Sequence, residues 1–149
     1  MSYTAPDYGG YARQRRDVDS QYGQQATTNA YGRFLGQQRG QRNLGDMQQS
    51  FGRQYTPYKA RFAQRGLAGP GVNSGSMQES MNRFVGDYAR DYGRTQQDLT
   101  QQGQQYDLQQ AQLDQWRQEA LRGIEESKAN EIAWAAQNVQ QLRDMLGGL

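Results

Sequence analysis

From Ser76 to Leu146 the chain contains no proline. The stretch is dense in Gln, Leu, Ala, Glu and Arg, residues that lose little on entering a helix. One long Gln-rich helix over residues 76–146 is therefore predicted. Ser76-Met77-Gln78-Glu79 has the Ser-x-x-Glu form of a capping box, in which two side chains satisfy backbone N–H groups at a helix start. Glycines at 86, 93, 103 and 123 interrupt the run. Each costs about 1 kcal/mol relative to alanine, so a helix of this length needs packing against a neighbour to hold.

The apolar residues indicate where such packing falls. Val85, Tyr92, Leu99, Tyr106, Leu113 and Ala120 stand seven apart, and Tyr88, Thr95, Gln102, Gln109 and Trp116 follow the first five at three. Alternating three-and-four spacing is the pattern of a coiled-coil seam, and a strict seven-residue repeat implies left-handed supercoiling. The expected oligomer seam comprises Val85, Tyr88, Tyr92, Leu99, Tyr106, Leu113 and Trp116. Glutamine on its second line weakens a two-stranded coil and suits wider, hydrated assemblies, because it adds no charge when many copies lie side by side. After Ala120 the frame slips by one position, through Ile124, Ile132, Ala135, Val139, Leu142 and Leu146, which predicts a bend or a change of partner near 120–128.

Upstream, residues 66–75 hold four glycines and a proline and form the clearest loop in the chain. Residues 44–65 carry Leu44, Met47, Phe51, Tyr55, Tyr58 and Phe62 at steps of three or four, which places them on one helical face. Pro57 lies inside that run. With Thr56 as N-cap it predicts a break between two short helices, near 43–55 and 57–65. Met47, Phe51, Tyr55, Tyr58 and Phe62 are the expected partner-docking face. Residues 1–43 are rich in Tyr, Gly, Gln and Arg without a sustained period and are expected to form an extended arm.

The expected fold class is all-α, extended and non-globular, with short helices and one long C-terminal helix packing in a multimeric assembly, and composition supports it. Leu, Ile, Val and Phe together number 20 of 149 residues, against 26 glutamines, and mean hydropathy is −1.12. So few large apolar side chains do not fill a core. Net charge is only +2, so strong self-repulsion does not keep the chain unfolded either. Folding coupled to assembly is the consequence. Charge is unevenly placed: ten Lys/Arg against four Asp/Glu in residues 1–65, and seven against eleven in residues 66–149. Arg13, Arg15 and Arg16, interleaved with Tyr8, Tyr11 and Tyr22, form a candidate contact for nonspecific double-stranded DNA, since arginine pairs with phosphate and aromatic rings stack on bases. A protein groove is the competing partner for the same segment.

The chain contains neither cysteine nor histidine, which removes disulfides, thiolate metal sites and histidine-based catalysis. Glu125-Glu126 and Asp87 with Asp91 read as solvated helix faces. The segment "GPGVNSGS" lacks the Gly-Lys-Ser/Thr ending of a phosphate loop. No catalytic, metal or cofactor residues are expected, and the chain reads as a non-enzyme. No stretch is apolar enough to span a membrane, and "MSYTAPDYGG" lacks the layout of a secretory signal, so synthesis in a host cytoplasm is expected.

The segment from Ala60 to Gln137, with Arg65-Gly66-Leu67 and a Gly/Ser-rich turn before the long Gln- and Ala-rich helix, resembles small virion proteins of tailed bacteriophages. The resemblance implies a non-enzymatic structural component of the virion, at the portal, neck or tail or in the internal core. Its partners would be copies of itself and a portal, neck or tail ring. A DNA-associated ejection protein is the alternative. A membrane-active amphipathic helix is a weaker third, because the helix has too few Leu, Ile and Phe for a membrane-facing side.

Overall fold

The structure is a computed structural model, and it describes residues 8–66, 68–69, 72–73 and 75–147. Two long helices form its framework, α1 at Tyr8–Gln64 and α2 at Gly75–Gly147. Two short strands lie between them, β1 at Ala68–Gly69 and β2 at Val72–Asn73, paired antiparallel with Ala68 opposite Asn73 and Gly69 opposite Val72. The chain divides into two compact units, one made of Met1–Ala30 with Asp107–Leu149 and the other of Tyr31–Tyr106.

α1 corrects two expectations. Residues 8–43 are not an extended arm, and the stretch expected as two short helices over 44–65 is not broken; residues 8–64 belong to one helix of 57 residues. The aperiodic composition of the first part concealed small and polar residues that face α2 and are held there. Tyr11, Tyr22 and Asn29 each bond to an α2 side chain. Pro57 lies within the helix. It has no N–H to donate, and a proline in a helix interior costs about 3 kcal/mol. Aromatic packing on both sides offsets that cost: Phe51 and Tyr55 precede Pro57, Tyr58 and Phe62 follow it, and both Phe51 and Tyr58 stack on Phe84 of α2. Thr56 is consequently an interior residue and not a cap.

α1 closes at Gly66, whose φ of +68° lies in the left-handed region that a Cβ disfavours. Its N–H donates to the carbonyl of Ala63 at 3.0 Å. Leu67, Pro70, Gly71 and Ser74 of the expected loop lie outside the described residues. α2 begins at Gly75, so Ser76 stands inside the first turn, while Glu79 pairs with Arg83 one turn on. Neither Gly86, Gly93, Gly103 nor Gly123 ends the helix, and no break occurs at 120–128.

Burial is shallow throughout. Among the described residues only Ala135 is buried, at 8% exposure. The remaining inward side chains are half-buried.

Candidate functional site

In the unit Tyr31–Tyr106, the α1 face expected to dock a partner meets α2 of the same chain. Phe51 is its centre. The ring lies 4.2 Å from Tyr88, 5.3 Å from Phe84 and 5.5 Å from Tyr55, centroid to centroid. Tyr58 stacks on Phe84 at 4.9 Å and meets Phe62 edge-on at 5.4 Å. Tyr88 reaches on to Tyr92 at 5.8 Å. The phenol of Tyr92 accepts from the Gln48 amide at 3.3 Å, and Thr95 Oγ1 donates to the sulfur of Met47 at 3.5 Å. Aromatic pairs in these geometries contribute about 0.5–1.5 kcal/mol each beyond the area they bury.

Beyond the aromatic ladder the same unit changes its means of contact. Gly32, Gly36 and Gly40 stand four apart on α1, and each faces an α2 side chain. A Cβ at Gly32 would lie 3.1 Å from the Tyr106 ring, one at Gly36 would lie 3.1 Å from the Gln102 amide, and one at Gly40 would lie 2.4 Å from a Leu99 methyl. These glycines are notches that take the Leu99–Gln102–Tyr106 line into the backbone of α1. Tyr88, Tyr92, Leu99 and Tyr106, expected at a seam between copies, are thus engaged within one chain.

The register of the seam also differs from a seven-residue frame. Met81, Phe84, Tyr88, Tyr92, Thr95, Leu99, Gly103 and Tyr106 are half-buried, at steps of three, four and four. That is an eleven-residue repeat. At about 3.67 residues per turn it stays close to the 3.6 of a straight helix, where a seven-residue repeat drifts by roughly 20° each time. The two frames agree at Tyr88, Tyr92, Thr95, Leu99 and Tyr106, and differ where the seven-residue frame takes Val85 and Gln102 while Phe84 and Gly103 are the half-buried positions. Val85 is 42% exposed, and Phe84, which the seven-residue frame passes over, takes the inward place.

The unit of Met1–Ala30 with Asp107–Leu149 is joined by polar contacts. Tyr22 donates to Asp114 at 2.6 Å, and the Gln110 amide nitrogen donates to both the Tyr22 oxygen at 3.2 Å and Asp114 at 3.1 Å. Asn29 donates to the Gln110 oxygen at 3.2 Å. Arg117 lies over the Tyr22 ring, 4.9 Å from its centroid, and holds Asp19 through Nε at 3.0 Å and Nη2 at 2.8 Å. The Tyr22 hydroxyl is held above its ordinary value of 10.0, chiefly by its hydrogen bond to Asp114, then by burial and by the charge of that carboxylate. Sequence reasoning missed this cluster by one residue. The seven-residue frame points to Leu113 and Trp116, whereas Asp114 and Arg117 face α1. Leu113 is half-buried and Trp116 is 36% exposed.

The candidate DNA-contact residues are also in this unit. Arg15 approaches Glu125 at 3.9 Å, and Arg16 is exposed. Tyr11 donates to Glu131 and Tyr22 to Asp114, so both hydroxyls are engaged with α2. The side chain of Tyr8 lies outside the described residues. Among the described residues, no group of three or more acidic side chains converges as a metal site, and no helix is long and apolar enough to cross a membrane. Compared with known protein families, with curated proteins and with solved structures, the chain matches none.

Proposed function

We propose that this chain is a non-enzymatic structural component of a tailed-phage particle, present in multiple copies and built into the portal, neck, tail or internal core through its long helices. The observation that carries the assembly part is the contrast between length and burial. Helices of 57 and 73 residues pair with only one buried side chain among the described residues. Hydrophobic burial is the main favourable term in folding, and side chains that are at most half-buried realise little of it. Further helices laid against the pair supply the missing surface. Large apolar residues still open to solvent, among them Phe34, Val85, Leu108, Trp134 and Leu146, are where such contacts gain most. The phage assignment rests on the resemblance of residues 60–137 to small virion proteins.

Purified particles of a tailed phage encoding this chain provide the test. Quantitative mass spectrometry should find it in many copies per particle, retained through density-gradient purification. Its absence from the particles overturns the proposal.

A further inference from the structure

The basic charge of the chain collects in one unit. Tyr31–Tyr106 carries ten Lys/Arg against five Asp/Glu, whereas the unit of Met1–Ala30 with Asp107–Leu149 carries seven against ten. Within the basic unit, α1 between residues 37 and 65 holds six cations, Arg39, Arg42, Arg53, Lys59, Arg61 and Arg65, and one acid, Asp46. All six cations are exposed, and among the described residues none of them forms an ion pair. Arg83 and Arg90 of α2, by contrast, pair with Glu79 and Asp87. At about 100° per residue, Arg39, Arg42, Arg53 and Arg61 fall within roughly 100° of one another around the helix. That side is turned away from the line of Met47, Phe51 and Tyr58, which meets α2. Asp46 falls in the same sector and leaves it clearly positive.

What accompanies the arginines selects the anion. The large apolar residues of this stretch, from Leu44 to Phe62, are all half-buried, so besides charged groups only Gln, Asn, Ser, Thr, Gly, Ala and Pro remain exposed between 37 and 65. A stable contact with an acidic protein has an apolar centre, and this face offers none. Single strands are held by stacking bases on aromatic rings, and no ring between residues 37 and 65 is exposed. A duplex requires neither: Arg and Lys neutralise its phosphates, and Gln, Asn, Ser and Thr donate to the same oxygens. From Arg39 to Arg61 the helix rises about 33 Å, close to the roughly 34 Å of one turn of B-form DNA. A helix laid along a duplex therefore returns to the same strand at its two ends. We infer that the outer face of α1 from Arg39 to Arg61 docks the phosphate backbone of double-helical nucleic acid, without reading its sequence. This surface lies in the other unit from Arg13, Arg15 and Arg16, and it stands independently of the assembly proposed above.

The test measures binding of the full chain to a DNA duplex of arbitrary sequence, about three turns long, by fluorescence anisotropy over a range of salt concentrations. The association constant should fall linearly with salt on logarithmic axes. A variant with Arg39→Gln, Arg42→Gln, Arg53→Gln and Arg61→Gln should bind about tenfold or more weakly at low salt. Its salt slope should flatten by about three to four, since each phosphate contact contributes about 0.9, with helical circular dichroism unchanged. The corresponding four-lysine variant should keep the slope. Should the glutamines lower helix content, Arg42→Gln with Arg61→Gln makes the same comparison, with a slope change of about two. An RNA duplex of equal length distinguishes the source of the phosphates: tighter binding to one duplex names it, and equal binding supports recognition of the backbone alone. Failure to bind either duplex overturns the inference, as does a salt slope that the glutamine variant leaves unchanged. Tighter binding to a single strand also overturns it, and so does competition by polyglutamate as effective as the duplex at equal charge, which assigns the face to an acidic protein. Binding lost on Arg13→Gln with Arg15→Gln and Arg16→Gln, but kept in the α1 variant, places the contact in the other unit and overturns the inference. All of these outcomes leave multi-copy assembly to its own test.

Discussion

Phe51 of α1 and Tyr88 of α2 lie 4.2 Å apart, ring centroid to centroid, the closest pair in a ladder that includes Tyr55, Tyr58, Phe62, Phe84 and Tyr92. The ladder flanks Pro57 and holds α1 through it. Replacing Phe51 with alanine removes three ring contacts at once. A fully buried phenylalanine costs about 3–5 kcal/mol on truncation, and a half-buried one should cost about 2. Thermal melts followed by circular dichroism should show that loss, together with earlier protection loss by hydrogen exchange at residues 55–64.

Glycines in the two helices should divide into two classes on replacement by alanine. Nothing lies within 4 Å of a Cβ built at Gly45, whereas one at Gly32 meets the Tyr106 ring at 3.1 Å and one at Gly40 meets Leu99 at 2.4 Å. Gly45→Ala should therefore stabilise by roughly 0.5–1 kcal/mol through helix propensity and unfolded-state entropy. Gly40→Ala should lose that gain because Leu99 has to turn aside, and the double variant Gly32→Ala with Gly40→Ala should be destabilised outright. Denaturant titration of the three variants checks the order.

The all-helical class was legible in the sequence, because a proline-free run of helix formers with few large apolar residues leaves little else. The face formed by Met47, Phe51, Tyr55, Tyr58 and Phe62 was legible too, from its spacing. Two things were not. The N-terminal helix was concealed because the residues that hold it, Tyr22, Asn29, Gly32, Gly36 and Gly40, are polar or lack side chains, so no hydrophobic period marks them. Residues Asp114 and Arg117 were passed over because a seven-residue frame through Leu99 and Tyr106 points to Leu113 and Trp116, and drifts by roughly 20° per repeat against a helix of 3.6 residues per turn. An eleven-residue frame started at Leu99 reaches Gln110, and one started at Tyr106 reaches Arg117.

Ionisation of Tyr22 should loosen its unit at high pH. Its hydroxyl donates to Asp114, and its folded value lies above the ordinary 10.0. The neutral phenol's contribution is thus fully present below about pH 10, the unfolded value, and is lost as pH rises through the folded one. Ultraviolet phenolate titration should show a late ionisation step that belongs to Tyr22. Tyr22→Phe should remove that late step and the accompanying fall in helix content.

Arg117 combines an ion pair with Asp19 and a cation–π contact with Tyr22. Both side chains of the ion pair are about half exposed, so solvent screening keeps it weak, about 0.2–1 kcal/mol, with a similar share from the ring contact. Arg117→Ala should cost about 1 kcal/mol. A double-mutant cycle with Asp19→Ala should recover only the ion-pair part, and added salt should shrink that part without affecting the rest.

Association that supplies missing burial is the central claim, and one measurement tests it most directly: sedimentation equilibrium of the full chain over a wide concentration range, with circular dichroism on the same samples. The account predicts that mass rises in multiples of the monomer and that helix content and melting temperature rise with it. A fully helical monomer of constant mass, melting cooperatively at a temperature independent of concentration, would contradict it.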